Sequence, residues 1–232
     1  MDDDITPILE AWKFDPERVN VRFIEALDGR PLIQVRIELG ILQMNRDGRP
    51  DGGPDVLENI EAAIAADDGL KIDSEMATAL REEAVLIHQR YVALLSLEAY
   101  DLVVRDAMRN LRAFDLCRDR GVDPDDRQVL EQFRAQVIAT RSRAAALAVL
   151  REGRVGEARR LLDAAVEEIR ATLASGAKEP PEIAMLEGMR DILQPKLPAS
   201  QRHELERRLH GALAAENYEL AAILRDELRQ LP

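Results

Sequence analysis

From residue 55 to about residue 193, apolar residues recur at steps of three and four, and only Gly, Pro and Asp clusters interrupt them. That period belongs to amphipathic helices, and each buried stripe needs another helix to cover it. The interruptions divide the run into helices at 55–66, from Asp73 or Ser74 to about 97, from a turn at 98–101 to about 120, at 125–152, at 155–174 and from Pro180-Pro181 to about 193. The expected inward sets include Val56, Leu57, Ile60 and Ile64 on the first, Leu80, Ala84, Ile87 and Tyr91 on the second, and Val103, Ala107, Leu111 and Phe114 on the third. They continue with Val129, Leu130, Phe133, Val137 and Ala144, then Ala158, Leu162, Ala165 and Ile169. Gly121-Val122-Asp123-Pro124 reads as a stop followed by a new N-terminus.

Two stretches upstream have the other period. Val19, Val21 and Phe23 alternate with polar residues, as do Ile33, Val35, Ile37 and Leu39, so strands are expected at 19–27 and 32–44. Asp28-Gly29-Arg30-Pro31 between them is turn chemistry. The result is a β-hairpin with one apolar and one polar face. A lone hairpin is marginal in water, so it must lie on helices or gain a third strand, one from a second copy included. Gly40 suggests a bulge or close backbone approach. Trp12 is expected to plug this head onto the body. Asp47, Asp51 and Asp55 in the following Gly- and Pro-rich loop are spaced too widely for a calcium loop, so a solvated turn and a helix start at Asp55 are expected. The fold expected is mainly α with a small N-terminal β-hairpin, arranged as residues 1–53 (head), 54–197 (helical-hairpin body) and 198–232 (terminal hairpin).

Composition narrows the function classes. Acidic residues outnumber Lys and Arg by 44 to 32, giving −12, which argues against a general phosphate-binding surface and makes direct nucleic-acid binding an unfavoured reading. The single cysteine, Cys117, excludes an internal disulfide and a thiolate zinc cluster, and its apolar setting reads as core. The acidic start lacks a signal-peptide pattern, no run is long enough for a membrane span, and a cytoplasmic location is expected. His203 and His210 are seven residues apart, too far on one helix to share a metal, and no Gly-x-Ser-x-Gly elbow or phosphate loop occurs. No cofactor is expected. Arg105, Arg109 and Arg112 fall together on one helix with Asp101, Asp106 and Asp115 nearby. They read either as a groove for an acidic partner or as a solvated, salt-bridged face.

The last thirty residues point outside the chain. Leu205, Leu209, Ala212 and Leu213 line one face of a helix with Ser200 as N-cap, and Glu216-Asn217 is a tight turn. A second helix from Tyr218 carries Ala221, Ala222, Leu224, Leu228 and Leu231, with Arg225 and Asp226 outside the stripe. Leu209, Ala212, Glu216, Tyr218, Glu219, Ala221, Ala222, Leu224, Arg225, Asp226 and Leu228 resemble the UVR motif, the helical hairpin at the ends of the B and C subunits of the bacterial excision nuclease. It also occurs in protein-arginine kinase activators and some Clp-type unfoldases. The resemblance implies a bacterial protein whose terminal hairpin binds protein, commonly another copy of itself, so a homodimer is one expectation. Two departures matter: the chain lacks the paired-cysteine zinc modules of the kinase activators and the ATPase loop of the nuclease B subunit and the unfoldases. Residues 19–52 also resemble a head found on bacterial proteins that end in this motif. Residues 146–165 resemble a tetratricopeptide repeat through Ala146, Gly153, Ala158 and Ala165, a plain antiparallel bundle being the alternative. The expected function is therefore a non-catalytic adaptor. A repair accessory recruited by hairpin pairing is the alternative. A third reading, an enzyme, would require a deep pocket where carboxylates converge with His88.

Overall fold

In a computed structural model, the structure describes the backbone of residues 4–174, 176–193, 199–214 and 218–230, and all their side chains except those of 199–204, 214, 218–219, 226–227 and 229–230. These residues form two compact units, Met1–Glu187 and Gly188–Pro232, with the boundary inside a helix.

The first unit opens with a short helix α1 (Thr6–Ala11) and a three-stranded antiparallel sheet, β1 (Asn20–Glu25), β2 (Pro31–Ile37) and β3 (Gly40–Asn45), in the order β1-β2-β3. The expected second strand is thus two. It folds back at Glu38-Leu39, with Ile37 facing Gly40, so Gly40 begins a strand instead of marking a bulge. The reason lies in Arg36. Its guanidinium donates to the carbonyls of Ile37, Glu38 and Gly40 and, at 3.0 Å, to that of Trp12. One buried side chain therefore satisfies the turn and ties the end of α1 to it. Trp12 lies under the Arg22 guanidinium, 4.0 Å from the ring centre, so it anchors α1 within the head and does not plug the body.

The two faces of the sheet behave as the alternation requires. Arg22, Gln34 and Gln43 form a polar ladder across all three strands, at 2.7 to 2.9 Å. On the other face Ile33 and Met44 are buried with Ile87, Tyr91, Leu94 and Val103 from the helices. Fully burying such side chains contributes roughly 1.5–3 kcal/mol each.

The helices are α2 (Val56–Ala66), α3 (Ser74–Ser96), α4 (Tyr100–Arg120), α5 (Pro124–Gln128), α6 (Arg134–Arg151), α7 (Val155–Thr172) and α8 (Pro181–Ile192). Asp55 and Asp73 cap α2 and α3 by accepting from the amides of Glu58 and Met76. Between α3 and α4 the chain turns through Glu98, whose φ is 56°; between α6 and α7 it turns through Gly153, at 75°. The hydrogen bonds match as well: Ala99 N–H to Leu94 and Glu98 N–H to Leu95 in one, Arg154 N–H to Val149 and Gly153 N–H to Leu150 in the other. Both are Schellman endings. Their inward positions correspond too, Val103 with Ala158, Ala107 with Leu162, Leu111 with Val166 and Phe114 with Ile169, all buried. The two helical hairpins thus share one geometry and stack through α4 against α6.

The single helix expected at 125–152 is broken. α5 gives way to a 3₁₀ turn, Glu131–Phe133, before α6 begins. Leu130 and Val137 are buried, but Val129 and Phe133 face outward, because the break rotates their stripe away from α4. Arg134 holds the new start in place, donating to both Glu131 oxygens and pairing with Asp115 of α4. Gly121 has a separate constraint: a Cβ there would lie 2.5 Å from the Cys117 carbonyl oxygen. Its close packing lets Ile72 bridge to it, with Ile72 N–H bound to Arg120 O and Val122 N–H to Ile72 O.

Candidate protein-interaction site

The second unit contains α9 (Ala199–Ala214) and α10 (Tyr218–Gln230), packed on each other. Ser200 lies inside α9 instead of capping it, and the expected turn at Glu216-Asn217 lies outside the described residues. The seam is built from Ala212, Ala221 and Leu224, all buried, with Leu205 and Leu209 packed against them. Two alanines in the seam allow close backbone approach, and Leu224 is its one fully buried large side chain among the described residues. Ala222 and Leu228 are half-buried, and Arg225 is exposed. The backbones of Tyr218, Glu219 and Asp226 belong to α10, but their side chains are outside the described set.

The structure therefore sorts the motif residues. Ala212, Ala221 and Leu224 close the hairpin on itself. The outward apolar residues are different ones: Leu213 at 48% exposure, Leu220 at 39% and Ile223 at 62%. Leu213 was expected in the α9 seam. Eight residues on from Leu205, it sits roughly 80° around the helix, while Ala212 stays close to the contact line. Leu220 and Ile223 are the residues that sequence reasoning missed. Their signal was present: at i and i+3 they form a second apolar stripe behind the one the seam needs. His210 makes only a local bond, its Nδ1 to the Glu206 carbonyl at 3.0 Å.

In the first unit, Arg105, Arg109 and Arg112 are taken up by ion pairs within the unit instead of lining an acidic-partner groove; Arg105 and Arg112 keep the salt-bridged, solvated setting, and Arg109 is drawn inward. Arg109 pairs with Asp55 at 2.6 Å and with Glu83, and the second Glu83 oxygen accepts the Val56 and Leu57 amides at the start of α2. Arg105 reaches Asp47 at 2.7 Å and the Arg46 carbonyl at 2.8 Å. Arg90, buried, pairs with buried Asp106 through two bonds and also donates to the carbonyls of Asn45 and Gly48. These guanidiniums fasten the 45–54 loop and the N-terminus of α2 to the body. Burial works against the Asp55 carboxylate, but Arg109 and the Glu58 amide hold its pKa below the usual range. Arg112 pairs with Glu61 at 3.0 Å in a more exposed setting.

A cavity of about 160 Å³ opens between α3, α4 and the start of α6. His88 is on its lining, but no carboxylate is. Burial lowers the His88 pKa, and its Nδ1 lies 2.6 Å from the Tyr91 hydroxyl, whose own pKa is pushed up to about 12 by burial and the Asp106 charge. Burial likewise pushes the Cys117 thiol up to about 11. Among the described residues, no three His, Cys, Asp or Glu side chains come together as a metal site, and no helix is long and apolar enough to cross a membrane.

A family model described as the UvrB/uvrC motif matches residues 200–231. The chain contains a UVR motif. The match covers α9 and α10 and leaves the first unit unassigned. No curated protein and no solved structure matches the chain.

Proposed function

We propose that this chain is a non-catalytic adaptor whose UVR hairpin binds a protein partner. The observation that carries the reading is the two-sided apolar character of α10. Ala221 and Leu224 face α9, while Leu220 at 39% exposure and Ile223 at 62% face outward. Paired hydrophobics left outside a small helical unit are what a second polypeptide can cover. The partner can be another copy of the hairpin, which gives a homodimer, or the hairpin of a different protein. The UvrB/uvrC match favours a second, narrower version, recruitment to nucleotide excision repair at the level of protein contact.

The test compares affinity capture from native lysate for the wild-type chain, Ile223→Asp and Arg225→Glu. Both residues are exposed, so both variants should fold. Ile223→Asp is expected to release a defined partner set, and Arg225→Glu to weaken the same set. Excision-nuclease subunits among the released proteins would favour the repair version. A partner set untouched by either change would remove the hairpin from the function.

A further inference from the structure

The cavity beside His88 lies in the first unit and owes nothing to the hairpin. Its depth profile is informative. Tyr91, Asn110 and Phe114 are buried and form its bottom. Val85, 56% exposed, and Phe133, 47% exposed, stand at its rim on opposite walls. Most of this surface is apolar, and its volume suits one ring or one branched aliphatic group. An engineered apolar cavity of similar size holds benzene.

The polar groups within it are all donors or amides. Tyr91 stays a protonated phenol at neutral pH, and its buried hydroxyl has no acceptor among the described residues other than His88 Nδ1, so it donates a hydrogen bond there and the neutral ring carries its hydrogen on Nε2. Nε2 has no hydrogen-bond partner among the described residues. Asn110 spends its amide hydrogen on the Ala84 carbonyl. Arg81, the one full charge on the lining, is paired with Asp126. In a chain with 44 acidic residues, the lining holds none. An occupant must therefore be apolar and carry an acceptor for His88.

Apolar surface also continues past the hole. Val92, 44% exposed, lies two turns beyond Val85 on the same face of α3, and Val129, 37% exposed, precedes the other wall. A molecule that filled only the cavity would leave both uncovered. We infer that this groove binds an extended peptide, with one Leu- or Phe-sized side chain as anchor and a main-chain carbonyl accepting from His88 Nε2. This adds a second protein-binding site, and its test does not involve the hairpin.

The experiment is methyl NMR on the full chain with three probes: toluene, N-acetyl-phenylalanine methylamide and acetyl-Ala-Phe-Ala methylamide. The two peptide-like probes should shift the Val85, Leu130 and Val137 methyls saturably. The longer one should bind more tightly and also move Val92. Val85→Glu, at an exposed rim position, should weaken both by roughly tenfold or more. His88→Phe keeps the ring volume, so it should weaken the peptide probes several-fold and spare toluene. No saturable shift, or shifts that survive Val85→Glu, would overturn the site. Equal affinity for the short and long probes with Val92 unmoved, or toluene binding alone, would overturn the peptide occupant. Peptide binding unchanged in His88→Phe would remove the hydrogen bond that defines it.

Discussion

Asp106 has both oxygens engaged inside the first unit, by Arg90 on one side and by Arg105 at 3.0 Å on the other. A buried ion pair like this is weak evidence of net stabilisation, because desolvating two charges offsets much of their attraction. Breaking it is another matter, since one charge is then left buried and alone. Asp106→Ala should cost about 3–5 kcal/mol in urea unfolding. Arg90→Met with Asp106→Leu should recover only part of that, because the Asn45 and Gly48 carbonyls would still lack their donor. Full recovery would mean that the loop contacts contribute nothing. The same carboxylate has a spectroscopic reporter. Burial first and the Asp106 charge second raise Tyr91 to about 12. Unfolded tyrosine ionises near 10, so folding stability linked to Tyr91 is intact below pH 10 and is lost as pH rises from there towards 12. In the Asp106 variants, tyrosinate absorbance should show that late ionisation moving down.

At the scale of elements, the matching turns at Glu98 and Gly153 make a controlled comparison. Both residues occupy left-handed backbone, where glycine is free and other residues are strained. Glu98→Gly should stabilise the protein by up to about 1 kcal/mol. The Arg151 contact it removes is solvent-exposed on both sides and weighs little against that gain. Gly153→Ala should cost about 1 kcal/mol from conformation alone, since a Cβ there meets no atom within 4 Å. Urea midpoints that move the same way for both would refute the shared geometry. The helices α2 and α3 were legible because period and an Asp cap agree at each, and α4 and α7 because the period alone is strong. The break at 129–133 was not, because Val129 and Phe133 keep helical spacing in the sequence while the 3₁₀ turn between α5 and α6 rotates them outward. The third strand was hidden for another reason: Leu39, Ile41 and Leu42 carry the apolar run straight through the change of inward parity from Ile33 and Val35 to Leu42 and Met44, and the turn there is stabilised by Arg36. The role of Arg105 and Arg109 was invisible because the partners that tie them to the loop, α2 and α3 lie 26 to 59 residues away in sequence.

At the scale of the molecule, the two units differ in how much core they own. The first buries a continuous set of side chains from β2, β3 and its long helices. Among its described residues, the second seals one leucine and two alanines, with Leu205 and Leu209 packed against them. Ordering a residue costs roughly 1–2 kcal/mol of backbone entropy, and so small a seam offsets little of that over two helices. Units of this size usually need an outside surface to hold them. This need connects the described seam to the outward pair Leu220 and Ile223: covering that pair would add to the core between α9 and α10. Hydrogen exchange should therefore find the amides of α9 and α10 far less protected than those of α4 and α6 in dilute solution. Protection should rise with protein concentration if a second copy supplies the cover, or on addition of the captured partner if it does not. Ile223→Asp should abolish that rise and leave the first unit's exchange unchanged. If α9 and α10 in dilute solution are as protected as α4, the hairpin is stable without a partner and the reason for one disappears.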